Sequence, residues 1–582
     1  MSVHELIDTQ PHKVDTWLET LPIAHIGETA RQLYVAMRTA NRQEKIAVRH
    51  HFHMLEGIAE PLSLILPELH KHYAGKPLPL SKKRRKVADL YTQLLRQSIL
   101  GYQQVITHSI ELNRFGWKKV VTTAVHRIFY YSGLMLCNYR LLYMPYQKGL
   151  WQQLYWLYQL VEKYNLLNCK VNCLDDHGKK STIATEFKKL LLLSILSPNL
   201  FKPSELQEIL DNMDLWVQHV TLTKSNNQDQ HSYAFALEAD IPPGLVGDSM
   251  PTPENPLIEV RYLDVTELLK YINSALTDTK PGADNTMLAR NRFASRRSLL
   301  IVLNNWGRPT SRDGDRRLIQ GQAEVAIGIS AIHYVVSEGK QAPESQQKLP
   351  EDNKASSINF ESTIPPIETG LVQKNSAFAT ERDESVDVWE TIYFDPDPAP
   401  PSWTESIRMK VYSYLSARVL NISKSGFCVA LPQEGIEHIQ TNELVAIRGT
   451  KGQWQLGEIR WMVCPTTGSI RAGIKKHCQK FIPVQLHIQS DFKNTQPIKC
   501  LAGENENGFI LFLPNLPTSL NGKTMLLEVG RKMRSFTLLE QVYNSPVGSA
   551  YYIQWEDDKG AETEQAASAT KTGKYESIWA NL

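Results

Sequence analysis

The chain has 582 residues, too many for one hydrophobic core, so roughly two to four domains are expected. Its 42% hydrophobic and 21% charged residues describe an ordinary soluble globular protein, and seven scattered cysteines exclude a disulfide framework and fit a reducing cytosol. The net charge of +3 is uneven, because residues 338–405 carry −9 and leave +12 on the rest, a basic body suited to a phosphate-bearing ligand, an acidic protein or nucleic acid.

The N-terminal stretch MSVHELIDTQPHKVDTW lacks the basic run and apolar core of a secretion signal. No membrane span is expected. RIFYYSGLMLCNYRLLYM contains Asn138 and Arg140, and FKKLLLLSIL is about half the length a bilayer requires.

The first 220 or so residues read as helix. KGLWQQLYWLYQLVEKYNLL puts Trp151, Leu154, Tyr155, Tyr158 and Val161 on one face. STIATEFKKLLLLSILSP should stop ahead of Pro198, and PSELQEILDNM offers a capping box through Ser204 and Gln207. Together they predict an α-helical, possibly repeat-like domain over 1–276, with a strand insertion near 231–262, and such arrays usually bind proteins. RNRFASRRSLLIVLNNWGRPTSRDGDRR is a basic lead into GQAEVAIGISAIHYVV, a strand followed by a short buried segment. Residues 338–405 are rich in Pro, Ser, Gln and acid and read as a disordered acidic insertion. Short alternating strands resume near Met409 and indicate a small barrel. Residues 480–557 read as a second β module or an extension of that barrel, and 558–582 as a disordered tail.

In NISKSGFCVAL, Asn421, Ser423 and Gly426 stand as Asn-x-Ser-x-x-Gly ahead of a strand. RDGDR supplies Arg-x-x-x-Arg as Arg312 and Arg316, beside Arg317, just before an earlier strand. With the Arg-Trp strand in GEIRWMVCPTTGSIRAGIKK, these residues resemble the two-part signature of the PilZ domain. The resemblance covers roughly residues 305–336 plus 409–477, within a barrel domain placed at 290–336 plus 406–478, and makes the chain a multidomain α + β protein: an N-terminal α-helical array, a PilZ-like small β-barrel and further C-terminal β-strands.

The resemblance implies cyclic di-GMP as ligand, with no cofactor or metal, in a bacterial cytoplasmic effector whose helical domain contacts an unknown protein target. Arg312 and Arg316 would hold phosphate and base, since guanidinium pairs bidentately with phosphate or with a guanine edge. Asn421 can donate to and accept from guanine, Ser423 can donate, and Gly426 allows close backbone approach. Arg308 with Arg312 forms a competing register. The two halves lie 105 residues apart where the family has a short strand pair, and the acidic insertion accounts for most of the excess at little entropic cost.

Two rival readings stand beside this one: a ligand-independent adaptor with a degenerate barrel, and an RNA-binding protein that uses the basic body, although nucleic acid is not the expected partner. No catalytic motif is found, so an enzyme is not expected. RHHFH (His50, His51, His53) and CKVNC (Cys169, Cys173) read as ordinary packed or loop residues, because neither has metal-ligand spacing. LSKKRRKVADLY reads as the solvated face of a helix start. If the acidic insertion shields the arginines when ligand is absent, deleting residues 340–400 tightens ligand binding in a titration, and an unchanged affinity rejects the idea.

Overall fold

The computed structural model describes residues 9–43, 46–76, 78–112, 116–174, 178–196, 203–225, 232–246, 259–277, 294–307, 317–338, 414–432, 436, 439–449, 452–464, 469–488, 497–506, 508–514, 525–529, 532–544 and 548–555. The chain divides into two compact units, one chiefly helical and one of β-barrels.

The helical unit contains α1 (Pro11–Glu19), α2 (Ile26–Arg42), α3 (Val48–Lys71), α4 (Lys82–Leu112), α5 (Trp117–Leu141), α6 (Leu150–Lys163), α7 (Ile183–Ile195), α8 (Pro203–Trp216), α9 (Thr266–Thr277) and α10 (Arg296–Gly307). α5 buries residues on every side, among them Val121, Val125, Phe129, Met135 and Leu136, as a central helix must. α6 buries the predicted face, and its Tyr158 stacks on Phe187 of α7 with centroids 4.5 Å apart. The Thr182 hydroxyl caps α7 by accepting from the Thr185 amide at 3.1 Å, and α7 ends ahead of Pro198. The helices run from 9 to 31 residues and share one continuous core, which is a bundle rather than a stack of equal repeats.

One expectation needs correction here. The capping box fails because α8 starts at Pro203, which suits a first helical turn, and the Gln207 amide donates to Asp211 instead. Within the segment 290–336 expected to open the barrel domain, α10 lies in the helical unit. α10 belongs to the helical core, where Trp306 is fully buried edge-on to Trp216 and donates to the Leu192 carbonyl.

The strand insertion forms a four-stranded sheet of β3 (Thr221–Thr223), β4 (Ser232–Ala236), β5 (Gly244–Leu245) and β6 (Val260–Asp264), in the order β3-β6-β4-β5. β4 pairs antiparallel with β6, and Phe235 stacks on Tyr155 of α6 at 4.8 Å. Asp240, in the loop after β4, accepts from the amides of Gly149 and Trp151 and so caps α6 from a distance. β1 (Lys170–Asn172) and β2 (Lys180–Thr182) form a separate ribbon, in which Ser181 joins a buried polar chain. Ser181 donates to Glu186, so the His126 ring donates to the Ser181 oxygen at 2.5 Å and its other nitrogen accepts from Arg127. Burial pushes the His126 pKa down to about 3, and the chain braces α5 against β2.

The β unit holds two closed six-stranded barrels. The first contains β7 (Arg317–Ile327), β8 (Leu415–Ile422), β9 (Gly426–Leu431), β10 (Leu444–Gly449), β11 (Gln455–Val463) and β12 (Ile470–Cys478), closed in the order β10-β11-β12-β9-β8-β7. Its interior is filled by Val325, Ala417, Val429, Val445, Ile459 and Ala472, all fully or almost fully buried. The second contains β13 (Lys480–Ile488), β14 (Ile498–Asn505), β15 (Gly508–Pro514), β16 (Met525–Val529), β17 (Lys532–Asn544) and β18 (Gly548–Trp555). Its order, β13-β14-β15-β18-β17-β16, repeats the first barrel strand for strand, so the two are copies of one topology.

A helix joins the barrels. α11 (Ile329–Glu338) follows β7 across Gly328, whose φ of +85° is a left-handed conformation that favours glycine. Ile329, Ile332 and Val335 pack against Ala326, Leu444, Ala446 and Leu456 of the first barrel and Phe481, Leu501, Ile510 and Phe512 of the second. Only Gln479 separates β12 from β13.

Ile332 is fully buried in this seam, so Ile332→Ala is expected to destabilise the β unit by about 2–5 kcal/mol in denaturant titration. Glu443, ahead of β10, is 7% exposed with its Oε2 unpartnered, and burial raises its pKa from 4.5 to about 7. The folded chain therefore holds a proton that the unfolded chain has released, and stability falls as pH rises from the unfolded value through about 7. Glu443→Gln is expected to raise the melting temperature at pH 8, with the gap closing toward pH 4.

Candidate functional site

The site is built on the antiparallel pair β7–β8 and the turn that follows. Arg317 pairs with Ile422 and Leu318 with Asn421, so the first residues of β7 lie against the end of β8 that carries the polar motif. Arg312 and Arg316, and the competing Arg308, lie outside the described residues. Arg317 is described and exposed.

Ser423–Ser425 forms the β8–β9 turn. The Ser423 amide donates to the Gly426 carbonyl at 2.9 Å, and the Lys476 amide of β12 donates to the Ser425 carbonyl at 2.9 Å. These bonds hold the turn against β12. Gly426 is required by contact, because a Cβ there would stand 2.2 Å from the Ile474 carbonyl oxygen. The motif glycine therefore lets two backbones approach, and Asn421 and Ser423 are presented from a fixed turn.

Directly opposed residues on antiparallel strands share a face. Asn421 pairs with Cys428, Cys428 with Gly473, and Gly473 with Trp461. These four residues form a row across β8, β9, β12 and β11. The Trp461 indole lies over Gly473, where a Cβ would meet its Nε1 at 2.0 Å. An amide and an aromatic plane thus share one face of the barrel. In sequence Trp461 marks only a strand; its place in this row depends on the register of three strand pairs. Cations border the turn. Lys475 pairs with Gly426, and the Lys476 ammonium sits 4.4 Å from the centre of the Phe427 ring, where burial lowers its pKa.

The second barrel lacks this equipment. Ser423–Gly426 corresponds to the pair Asn505–Gly508, which puts Gly503 where the first barrel has Asn421. The residues leading into β13, Lys475–Lys480, contain no arginine. One barrel in two carries the constellation.

No group of three or more metal-ligating side chains occurs among the described residues. His51 of the RHHFH stretch is buried with Nε2 3.0 Å from Asn41, and His53 pairs with Asp15 at 2.7 Å. Cys169 and Cys173 flank β1 as half-buried thiols. No described helix is long and apolar enough to cross a membrane.

Residues 12–228 match the family model "Cyclic-di-GMP receptor FimW, N-terminal domain", and residues 233–478 match "Cyclic-di-GMP receptor FimW, middle PilZ domain". The chain is 21% identical to the cyclic-di-GMP receptor FimW of Pseudomonas aeruginosa over 99% of its own length and 96% of the relative's. No solved structure matches it. The two models meet near the start of the strand insertion and run to the end of β12, which covers the helical bundle and the first barrel. The chain belongs to the PilZ-domain family of cyclic di-GMP receptors, with its barrel motif split by a long insertion behind an N-terminal helical region.

Proposed function

We propose that this chain is a cyclic di-GMP receptor, not an enzyme, and that the ligand binds on the outer face of the first barrel. Arg312 and Arg316 hold phosphate and guanine, with Arg317 adding positive potential. Asn421 and Ser423 bond the other base, and Trp461 offers it a stacking plane. The observation that carries this reading is the β7–β8 register, in which the chain enters its strand beside Asn421 and the Ser423 turn. The ligand carries two phosphate charges, and the bordering Lys475 and Lys476 favour an anion there. The name of the Pseudomonas relative supports the same ligand.

Binding would order the arginine segment across the barrel face, and the helical bundle would carry the signal to a protein target in the cytoplasm. In support of that second role, the bundle exposes Trp156 at 45% and Leu64 at 57%, large apolar side chains of the kind that anchor protein contacts.

Calorimetry with cyclic di-GMP tests the proposal. Saturable binding at a single site region per chain is expected, weakened roughly ten- to hundredfold by Arg316→Ala or Asn421→Ala, since each removes hydrogen bonds to charged or base groups. Comparing Arg308→Ala with Arg316→Ala decides the arginine register. Binding that survives both Arg312→Ala and Asn421→Ala, or two independent sites per chain, overturns the assignment.

A further inference from the structure

Beside the row that holds Asn421 and Trp461, the outer face of the first barrel carries a second row that no motif singles out. Side chains alternate across a strand, so two places along from Cys428 and Gly473 stand Ala430 of β9 and Arg471 of β12, which pair with each other. On its other side Ala430 pairs with Arg418 of β8, which the irregularity between Val419 and Asn421 brings onto the same face as Asn421. Arg418 then pairs with Gln322 of β7, and Arg471 with Val463 of β11. The residues between them in sequence point inward: Val429 and Ala472 are fully buried and Val419 nearly so, while Arg418 and Arg471 are exposed. Two guanidinium arms therefore rise on either side of one alanine, with backbones about 10 Å apart across β9 and about 7 Å along the strands from the Asn421 row.

The second barrel shows another use of the same row. With Asn421 set on Gly503, the row Arg418–Ala430–Arg471 falls on Leu501–Phe512–Ala550. That copy is apolar and packs against α11. In the first barrel both flanking positions are arginine, and neither makes a hydrogen bond or ion pair among the described residues. The acid of the facing strand, Glu324, is engaged by Arg448 instead. Two like charges held on paired strands repel, and an anion seated between them relieves that repulsion. The guanidinium fork also matches the oxygens of a phosphate. We propose that Arg418 and Arg471 form a phosphate clamp, a further contact of the ligand site that lies outside the family signature. A guanine seated at Asn421 and Trp461 carries its ribose-phosphate ring over the neighbouring row, and the two arginines bind a phosphate there. This inference rests on the cyclic di-GMP reading and extends it to residues fixed in the barrel wall.

The test is calorimetry of the full chain with cyclic di-GMP. Arg418→Gln and Arg471→Gln are each expected to weaken binding about tenfold and the double variant about a hundredfold, as for loss of hydrogen bonds to a charged group. Lys480→Gln removes an equal charge from the exposed start of β13 and is expected to leave affinity unchanged. Both arginines are exposed and without a described partner, so their variants should melt with the parent, which separates lost binding from lost folding. Parent binding that Asn421→Ala weakens but the double arginine variant leaves intact overturns the clamp while the cyclic di-GMP reading stands. A loss in Lys480→Gln equal to that in the arginine variants also overturns the clamp, because net charge alone then accounts for it. No binding by the parent overturns that reading and the clamp with it.

Discussion

The pairing of β7 with β8 is the interaction on which the rest of the β unit depends. It joins strands that end at Ile327 and begin at Leu415, and it closes the first barrel. Closing so long a connection costs only logarithmically more than closing a short one, so the ladder and the shared interior can hold it. The same pairing sets Arg317 against Ile422, and so decides which end of β8 the incoming basic segment meets. A slip of one residue would turn Asn421 from the outer face to the core and expose the aliphatic row.

Two close approaches sharpen that geometry. Gly426 admits the Ile474 carbonyl, and Gly473 admits the Trp461 indole. In both places the absent side chain is what the fold uses, since any Cβ would force the strand or the ring away. The polar turn is rigid for the same reason: its backbone is bonded to β12 on one side and across its own mouth on the other. A preorganised turn of this kind loses little freedom when a ligand arrives.

Much of this was legible in the residues, for identifiable reasons. The apolar face of α6 follows from a 3.6-residue period that tertiary packing respected, and the stop of α7 follows from Pro198. Asn421, Ser423 and Gly426 were readable as a unit because local backbone chemistry makes them one. Trp461 was not, because its neighbourhood depends on the register of three strand pairs far apart in sequence. The packing of α10 was not legible, because its basic character resembles the arginine lead that follows, whereas Trp306 is claimed by an aromatic partner ninety residues earlier. Lys83 and Arg84 read as solvated from composition alone; what half-buries them is the arrangement of α2 and α3 against the start of α4.

The doubled barrel has a further consequence. Because α11 is threaded between β7 and β8 yet buries its apolar side against both barrels, the C-terminal copy is mortised into its neighbour rather than strung behind it. Excising the chain after Cys478 would strip one flank of that helix and bare Ile329, Ile332 and Val335 to water, while the released fragment would present Phe481, Leu501, Ile510 and Phe512 as an oily patch. A duplicate without the Asn-x-Ser-x-x-Gly motif is thus still needed, as the abutment that keeps the motif-bearing copy in shape.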